Sequence, residues 1–364
     1  MNRFSFIVCL IFVCIFVALF FGMQVQEESN PVPQKIGVVM DGSRHDLTWN
    51  QAHAEGIDAA ARKIGAEVLY RENVPEAPEC AQVIEELIGE GCSLVVCTSF
   101  GFGEWLRAVA ERHPDIRFMH ATGTVTLPNL STYAARMYQM RYVSGIVAGL
   151  QTQTGSVGYV ASFPICETVR GINAFALGVR SVRRDAVVHV VFSNTWIDDA
   201  DIEKATHRLL DGSTVDVVTM QVDSLKVHET AEQMGIWAIG SHRDLSEKFP
   251  KTLLTSAVWN WESFYTERFR ECTRGKFRGR NYWEGLREKR VSMAPLSAAA
   301  APGAAEAVRK AMKRFENDLF EVFHGPIFDT EKRIRVRAGE SMTDDMLLNG
   351  FDWFVEGVKV HGTD

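Results

Sequence analysis

From residue 35 onward, short β-branched runs alternate with longer stretches whose apolar residues recur every three or four positions, the patterns of buried strands and of amphipathic helices. In the first half this predicts strands at 35–40, 66–70, 94–97 and 117–120, with helices at about 48–64, 78–90 and 102–113. A helix at about 137–153 follows, closed near Thr154-Gly155, and the alternation then begins again. The second round places strands at 156–160, 186–192, 215–220 and 235–239, and helices at about 166–181, 199–210 and 224–234. Such alternation predicts an α/β protein with largely parallel, doubly wound sheets. Two rounds of it predict two lobes with a cleft between them.

A further strand reads at 253–258, and beyond it the order loosens. Helices at about 261–274 and 302–319 flank a turn-rich stretch with Trp283 and Pro295, and Gly325-Pro326 interrupts the chain before its tail. The expected division is a first lobe of 35–135 plus about 258–300, and a second of about 136–257 plus about 301–364. Crossings between the two act as a hinge. Residues 1–34 read as a signal or anchor segment and a linker.

Composition narrows the partners. A formal charge of -7 argues against nucleic acid, which requires a concentrated basic face. Residues 4–23 carry no charged side chain, enough to cross a bilayer. Arg3 before them, with Glu27 and Glu28 after, puts the bulk of the chain outside the cytoplasm, in the periplasm or at the cell surface. No small-x-small cleavage site follows, which leaves a retained tether open. Of seven cysteines, Cys9 and Cys14 lie in the apolar segment, and the odd number remaining excludes complete intramolecular pairing, so buried free thiols are expected.

The chemistry collects where strands hand over to helices. Trp49, Phe100, Trp196 and Trp259 each fall just past a strand-like run, and α/β sheets bind ligands outside the carboxyl ends of their strands. Aromatics gathered there suit the walls of a site for a flat ligand. Asp46-Leu-Thr-Trp49-Asn50 follows the first strand, where Asp46 or Thr48 also suits a helix N-cap. Thr98-Ser99-Phe100-Gly101-Phe102-Gly103 lacks the third glycine of a dinucleotide loop and the lysine of a phosphate loop, so its glycines are read as letting the backbone approach a ligand. Asn194-Thr-Trp196 and Asp223 also follow strands, whereas Asp198 and Asp199 read as helix caps. Asp223 is either another cap or a carboxylate that accepts N–H bonds from a heterocycle. There is no G-x-S-x-G, no H-E-x-x-H and no ligand spacing among the 10 histidines. A binding protein rather than an enzyme is expected, with no cofactor and no metal.

Taken in order, several segments resemble the basic membrane protein family, the PnrA-like substrate-binding proteins of ABC transporters. They are Asp46-x-x-Trp49-Asn50, Asn129 with Thr132-Tyr133, and the run from Tyr138 through Arg141 and Gly145 to Gly149. Gly158-Tyr-Val-Ala-Ser-Phe163-Pro164, Arg170-Gly-Ile-Asn-Ala-Phe175, Asn194-Thr-Trp196 and Trp259-Asn260-Trp261 complete the set. The resemblance implies a type I periplasmic-binding fold that closes on a purine base or nucleoside, and a monomer that delivers it to a membrane permease. It places Phe163 and Gly240 beside Asp46, Trp49, Asn50, Ser99, Phe100, Asn194, Trp196, Asp223 and Trp259 as ligand-binding residues. Where nucleoside-binding members hold ribose with carboxylates, this chain reads His120-Ala-Thr122 and Gly240-Ser-His242-Arg-Asp244, which favours a free base. The rival expectation is a membrane-tethered sensing module built on the same cleft.

Overall fold

Residues 35–362 are described in the computed structural model, so the apolar segment at 4–23 lies outside them. The first sheet contains β1 (Lys35–Val39), β2 (Glu67–Arg71), β3 (Leu94–Cys97), β4 (Arg117–Ala121) and β5 (Leu130–Ala135), joined at its edge by a later strand, Asn281–Glu284. Its order is Asn281–Glu284, β5, β4, β3, β1, β2, and every pairing is parallel. Helices α1 (Trp49–Ile64), α2 (Glu79–Gly89) and α3 (Gly103–Arg112) make the crossovers. Parallel neighbours demand such crossovers, and the alternation in the sequence reports them.

The second sheet repeats the scheme with β6 (Ser156–Ala161), β7 (Val187–Phe192), β8 (Val217–Gln221), β9 (Trp237–His242) and β10 (Leu253–Trp259). With β11 taken as Asn281–Glu284, β12 (Val291–Met293) pairs antiparallel with β10 at one edge. At the far edge a strand from the tail, Val358–Val360, pairs with β7. Helix α4 (Met137–Gln151) opens this lobe and packs on α5 (Cys166–Val182), an approach that glycine makes possible. A Cβ at Gly145 would lie 2.2 Å from the Phe175 carbonyl oxygen, and one at Gly178 would lie 2.0 Å from that of Tyr142. Crossovers α6 (Asp199–Leu210) and α7 (Lys226–Met234) complete the lobe, and α8 (Trp261–Thr273) returns to pack against α1.

The sheets meet through three crossings of the chain, at Arg136, at Asn260 and between Glu284 and Val291. The expected extent of the first lobe to about residue 300 is therefore too long, because β12 belongs to the second sheet. Strand β5 escapes the sequence pattern for a physical reason. It carries buried Ser131 and Thr132, whose hydroxyls donate to Arg278 O and Asn281 Oδ1, partners about 150 residues away. All five cysteines among the described residues are free.

Candidate functional site

The ends of β1, β3, β6, β7, β8 and β9 face one another across the gap between the sheets. Asp41 stands two residues past the end of β1, and Asp46 lies on the loop leading into α1. Asp46 accepts from the backbone N–H groups of Thr48, Asn50 and Gln51 at 2.7, 3.0 and 3.0 Å. Its carboxylate is thus engaged in starting the helix, as capping chemistry predicts. Asn50 is buried and takes a hydrogen bond from Thr98 Oγ1 at 3.3 Å.

Trp49 occupies a place other than an open wall. It is 9% exposed, its indole N–H donates to Thr98 O at 2.8 Å, and its ring meets that of Trp259 edge-on at 5.5 Å. Trp259, also 9% exposed, stacks on Trp261 at 5.1 Å, and Trp261 stacks on His53 at 4.5 Å. The two tryptophans are the cleft-side end of an aromatic core that runs from one lobe into the other at the hinge. Phe100 differs, being 61% exposed. Its loop is fixed by Glu76, which accepts from Ser99 Oγ at 2.5 Å and Gly101 N at 2.8 Å.

Across the gap, Phe163 and Trp196 are neighbours with ring centroids 6.1 Å apart. Asn194, at φ 57, is exposed, and its N–H donates to Ser162 O at 2.9 Å. The Asp223 N–H donates to Trp196 O at 2.7 Å, which ties the loops after β7 and β8 together. Asp198 caps α6 through the N–H groups of Ala200 and Asp201. Gly240 lies within β9, and a Cβ there would meet Ser256 Oγ at 2.2 Å, so this glycine serves the packing of β9 on β10.

The structure adds residues that sequence reasoning passed over. Burial pushes the Asp41 carboxyl up to about 6, and the charge of Asp223 across the cleft adds to the rise. Burial likewise raises Asp223, opposed by His242, whose Nε2 lies 3.1 Å from Asp223 Oδ1. Burial also raises Glu167, in the first turn of α5. Beneath them, buried Arg141 donates to Met220 O and Ser241 Oγ, both at 2.8 Å, and so braces the two strand ends that carry Asp223 and His242. Asp41 was open to discovery, since it stands just past a strand as the aromatics do. The acidic cleft suits a ligand that presents hydrogen-bond donors.

The Asp41 shift has a measurable sign. The folded protein keeps this proton up to about pH 6, whereas an unfolded chain releases it near 3.8, so ionised Asp41 costs stability above that window. Asp41→Asn is expected to raise stability at pH 7 by roughly 1–3 kcal/mol. The gain should fade as pH drops from 6 towards 4, as followed by thermal melts of both proteins.

Residues 33–316 match the family described as ABC transporter substrate-binding protein PnrA-like. The chain belongs to that family. It is 34% identical over 332 residues to a purine-binding protein of Brucella abortus, covering 89% of this chain and 92% of that one. It is 32% identical to a putative ABC transporter glucose-binding protein, TsgA13, of Haloferax volcanii, covering 86% and 77% respectively. Its fold matches an ABC transporter solute-binding protein of Aeropyrum pernix with a TM-score of 0.68 at 18% identity, over 79% of this chain and 93% of that chain. The architecture is the type I periplasmic-binding fold. As a PnrA-like protein the chain is a ligand binder of an ABC transporter with a membrane permease as partner, and such importer proteins work outside the cytoplasm. Among the described residues, no helix is long and apolar enough to cross a membrane, and no group of three or more acidic, histidine or cysteine side chains is placed to hold a metal ion.

Proposed function

We propose that this PnrA-like protein captures a purine as the free base between its lobes and presents it to its permease. The observation that carries the reading is Asp223, a carboxylate only 11% exposed just past β8, with His242 Nε2 at 3.1 Å and the Phe163–Trp196 pair on the loops beside it. A buried carboxylate accepts N–H donors, and flat aromatic walls take the faces of a heterocycle at about 1–3 kcal/mol per stacked base. The purine-binding name of the Brucella abortus relative supports the same ligand class. In this reading Phe100, Phe163 and Trp196 supply ring contact, and Ser99 and Asn194 supply polar contacts at the rim. Asp46, Asn50, Trp49 and Trp259 shape the site by holding its loops, and the protein acts as a monomer.

Calorimetric titration with adenine, guanine, hypoxanthine and xanthine, their nucleosides, and glucose tests the proposal. Tight binding of a base supports it. Heat with glucose alone, or with none of these, overturns it.

Closure should accompany binding. The lobes are tied on the hinge side by Arg243, whose Nη2 and Nε lie 2.6 and 3.1 Å from the carboxylate oxygens of Glu55 on α1. A ligand that touches both lobes favours the closed population in proportion to its differential affinity. Small-angle scattering should show a smaller radius of gyration with saturating base, and an unchanged radius would count against a ligand shared by both lobes.

A further inference from the structure

We infer that Trp259 and His242 turn Asp223 into one half of a two-point grip on an unsubstituted ring N–H of the ligand, so that these residues decide free base against nucleoside. The inference rests on the purine reading of the cleft. An indole N–H is a donor and nothing else, and that of Trp259 lies 3.0 Å from His242 Nδ1. Nδ1 must therefore offer its lone pair, which leaves the proton of the neutral ring on Nε2. That Nε2 belongs to a side chain only 7% exposed. Although it is 3.1 Å from Asp223 Oδ1, its N–H has no aligned acceptor, and it stands as a buried donor without a hydrogen bond. Buried donors are rarely left so in folded proteins, and one beside the Asp223 carboxylate marks a place for a ligand acceptor.

The backbone agrees. His242 sits at φ 71, a conformation that non-glycine residues seldom adopt and that clusters at functional sites. Arg141 holds the Ser241 hydroxyl next to it, and the Trp259 ring is locked between Trp49 and Trp261. Among the described residues no lysine or arginine pairs with Asp223, so its second oxygen is left to accept.

The result is a donor and an acceptor side by side, from Nε2–H and the Asp223 carboxylate. Adenine, guanine and hypoxanthine as free bases carry the complementary pair on the two sides of C4, the N3 lone pair and the N9–H. Glycosylation or methylation at N9 removes the donor and puts carbon against the carboxylate. The grip thus accepts adenine, guanine and hypoxanthine and rejects their 9-substituted forms, whatever group stands at C6, whereas xanthine carries a proton on N3 and offers no acceptor there.

The test compares adenine and hypoxanthine with 9-methyladenine, 9-methylhypoxanthine, adenosine and inosine by calorimetry on the full-length protein in detergent. Imidazole ¹H–¹⁵N spectra assign the His242 tautomer in the same preparation. The expected results are an Nε2–H tautomer and a loss of about 30-fold or more on 9-methylation, the scale of one buried mismatch. Trp259→Phe, which keeps the ring and removes the N–H, should release the tautomer and narrow that gap to about 5-fold or less. Equal affinity for free and 9-methyl bases overturns the inference while leaving the purine reading in place, and so does an Nδ1–H tautomer in the unaltered protein. Absence of binding by every purine form overturns the purine reading, and the inference with it. Should Trp259→Phe fail to fold, the ligand series and the spectra of the unaltered protein decide alone.

Discussion

Asp223→Asn should lower affinity for the preferred base by about 10- to 100-fold while leaving the empty protein as stable as before or more so. The two halves of that expectation have separate causes. In the bound state an amide replaces an acceptor-only carboxylate, and turning its NH₂ towards a ligand N–H leaves a mismatched buried pair at about 1–3 kcal/mol. In the unbound state the same change removes a charge that burial disfavours, as the raised pKa of Asp223 records. Loss should fall most on the tightest ligand, flattening the ranking among purines. Titration of four bases against both proteins, with melting curves in parallel, checks it. Unchanged affinity and ranking would reduce Asp223 to a tie for the neighbouring loops.

Trp49→Ala should act chiefly on folding, with a loss of about 3–5 kcal/mol, the usual cost of emptying a buried aromatic site. The indole is 9% exposed and abuts Trp259, Trp261, His53 and His242, so its removal opens a cavity at the hinge and strips Thr98 O of its donor. Denaturant unfolding with and without ligand separates this from a contact role. Trp49→Phe should retain much of the packing. A variant that kept full stability and lost only purine affinity would return Trp49 to the position of a stacking wall.

That contrast shows what was legible in the chain. The period of apolar residues reports whether a segment is strand or helix, and the lobes followed from it because parallel sheets impose a regular rhythm. The handover points were legible as well, since a residue just past a strand faces the cleft by topology alone. What period cannot report is which neighbour a side chain meets. Trp49 and Phe100 stand at equivalent handovers, yet one is packed by α8, more than 200 residues later, and the other is exposed. The boundary expected near residue 300 misses the change of lobe before β12 for the same reason, because the partner of β12, β10, is chosen by the path of the third crossing and not by its own composition. His242 stands out in the sequence as a departure from the family pattern. Its pairing with Trp259 depends on two strand ends meeting in space.

The short strand Val358–Val360 has a bearing beyond the lobe it completes. It covers β7, whose sequence Val-Val-His-Val-Val-Phe is rich in β-branched residues, free of proline and without a formal charge when its histidine is neutral. Such a hexapeptide, left with open backbone groups, is a template for stacking with copies of itself into cross-β fibres. The backbone bonds from Val188 N to Gly357 O and from His361 N to Val190 O close that edge within the molecule. This short strand thereby stands as a guard on solubility, and damage to it is expected to show first as test-tube turbidity.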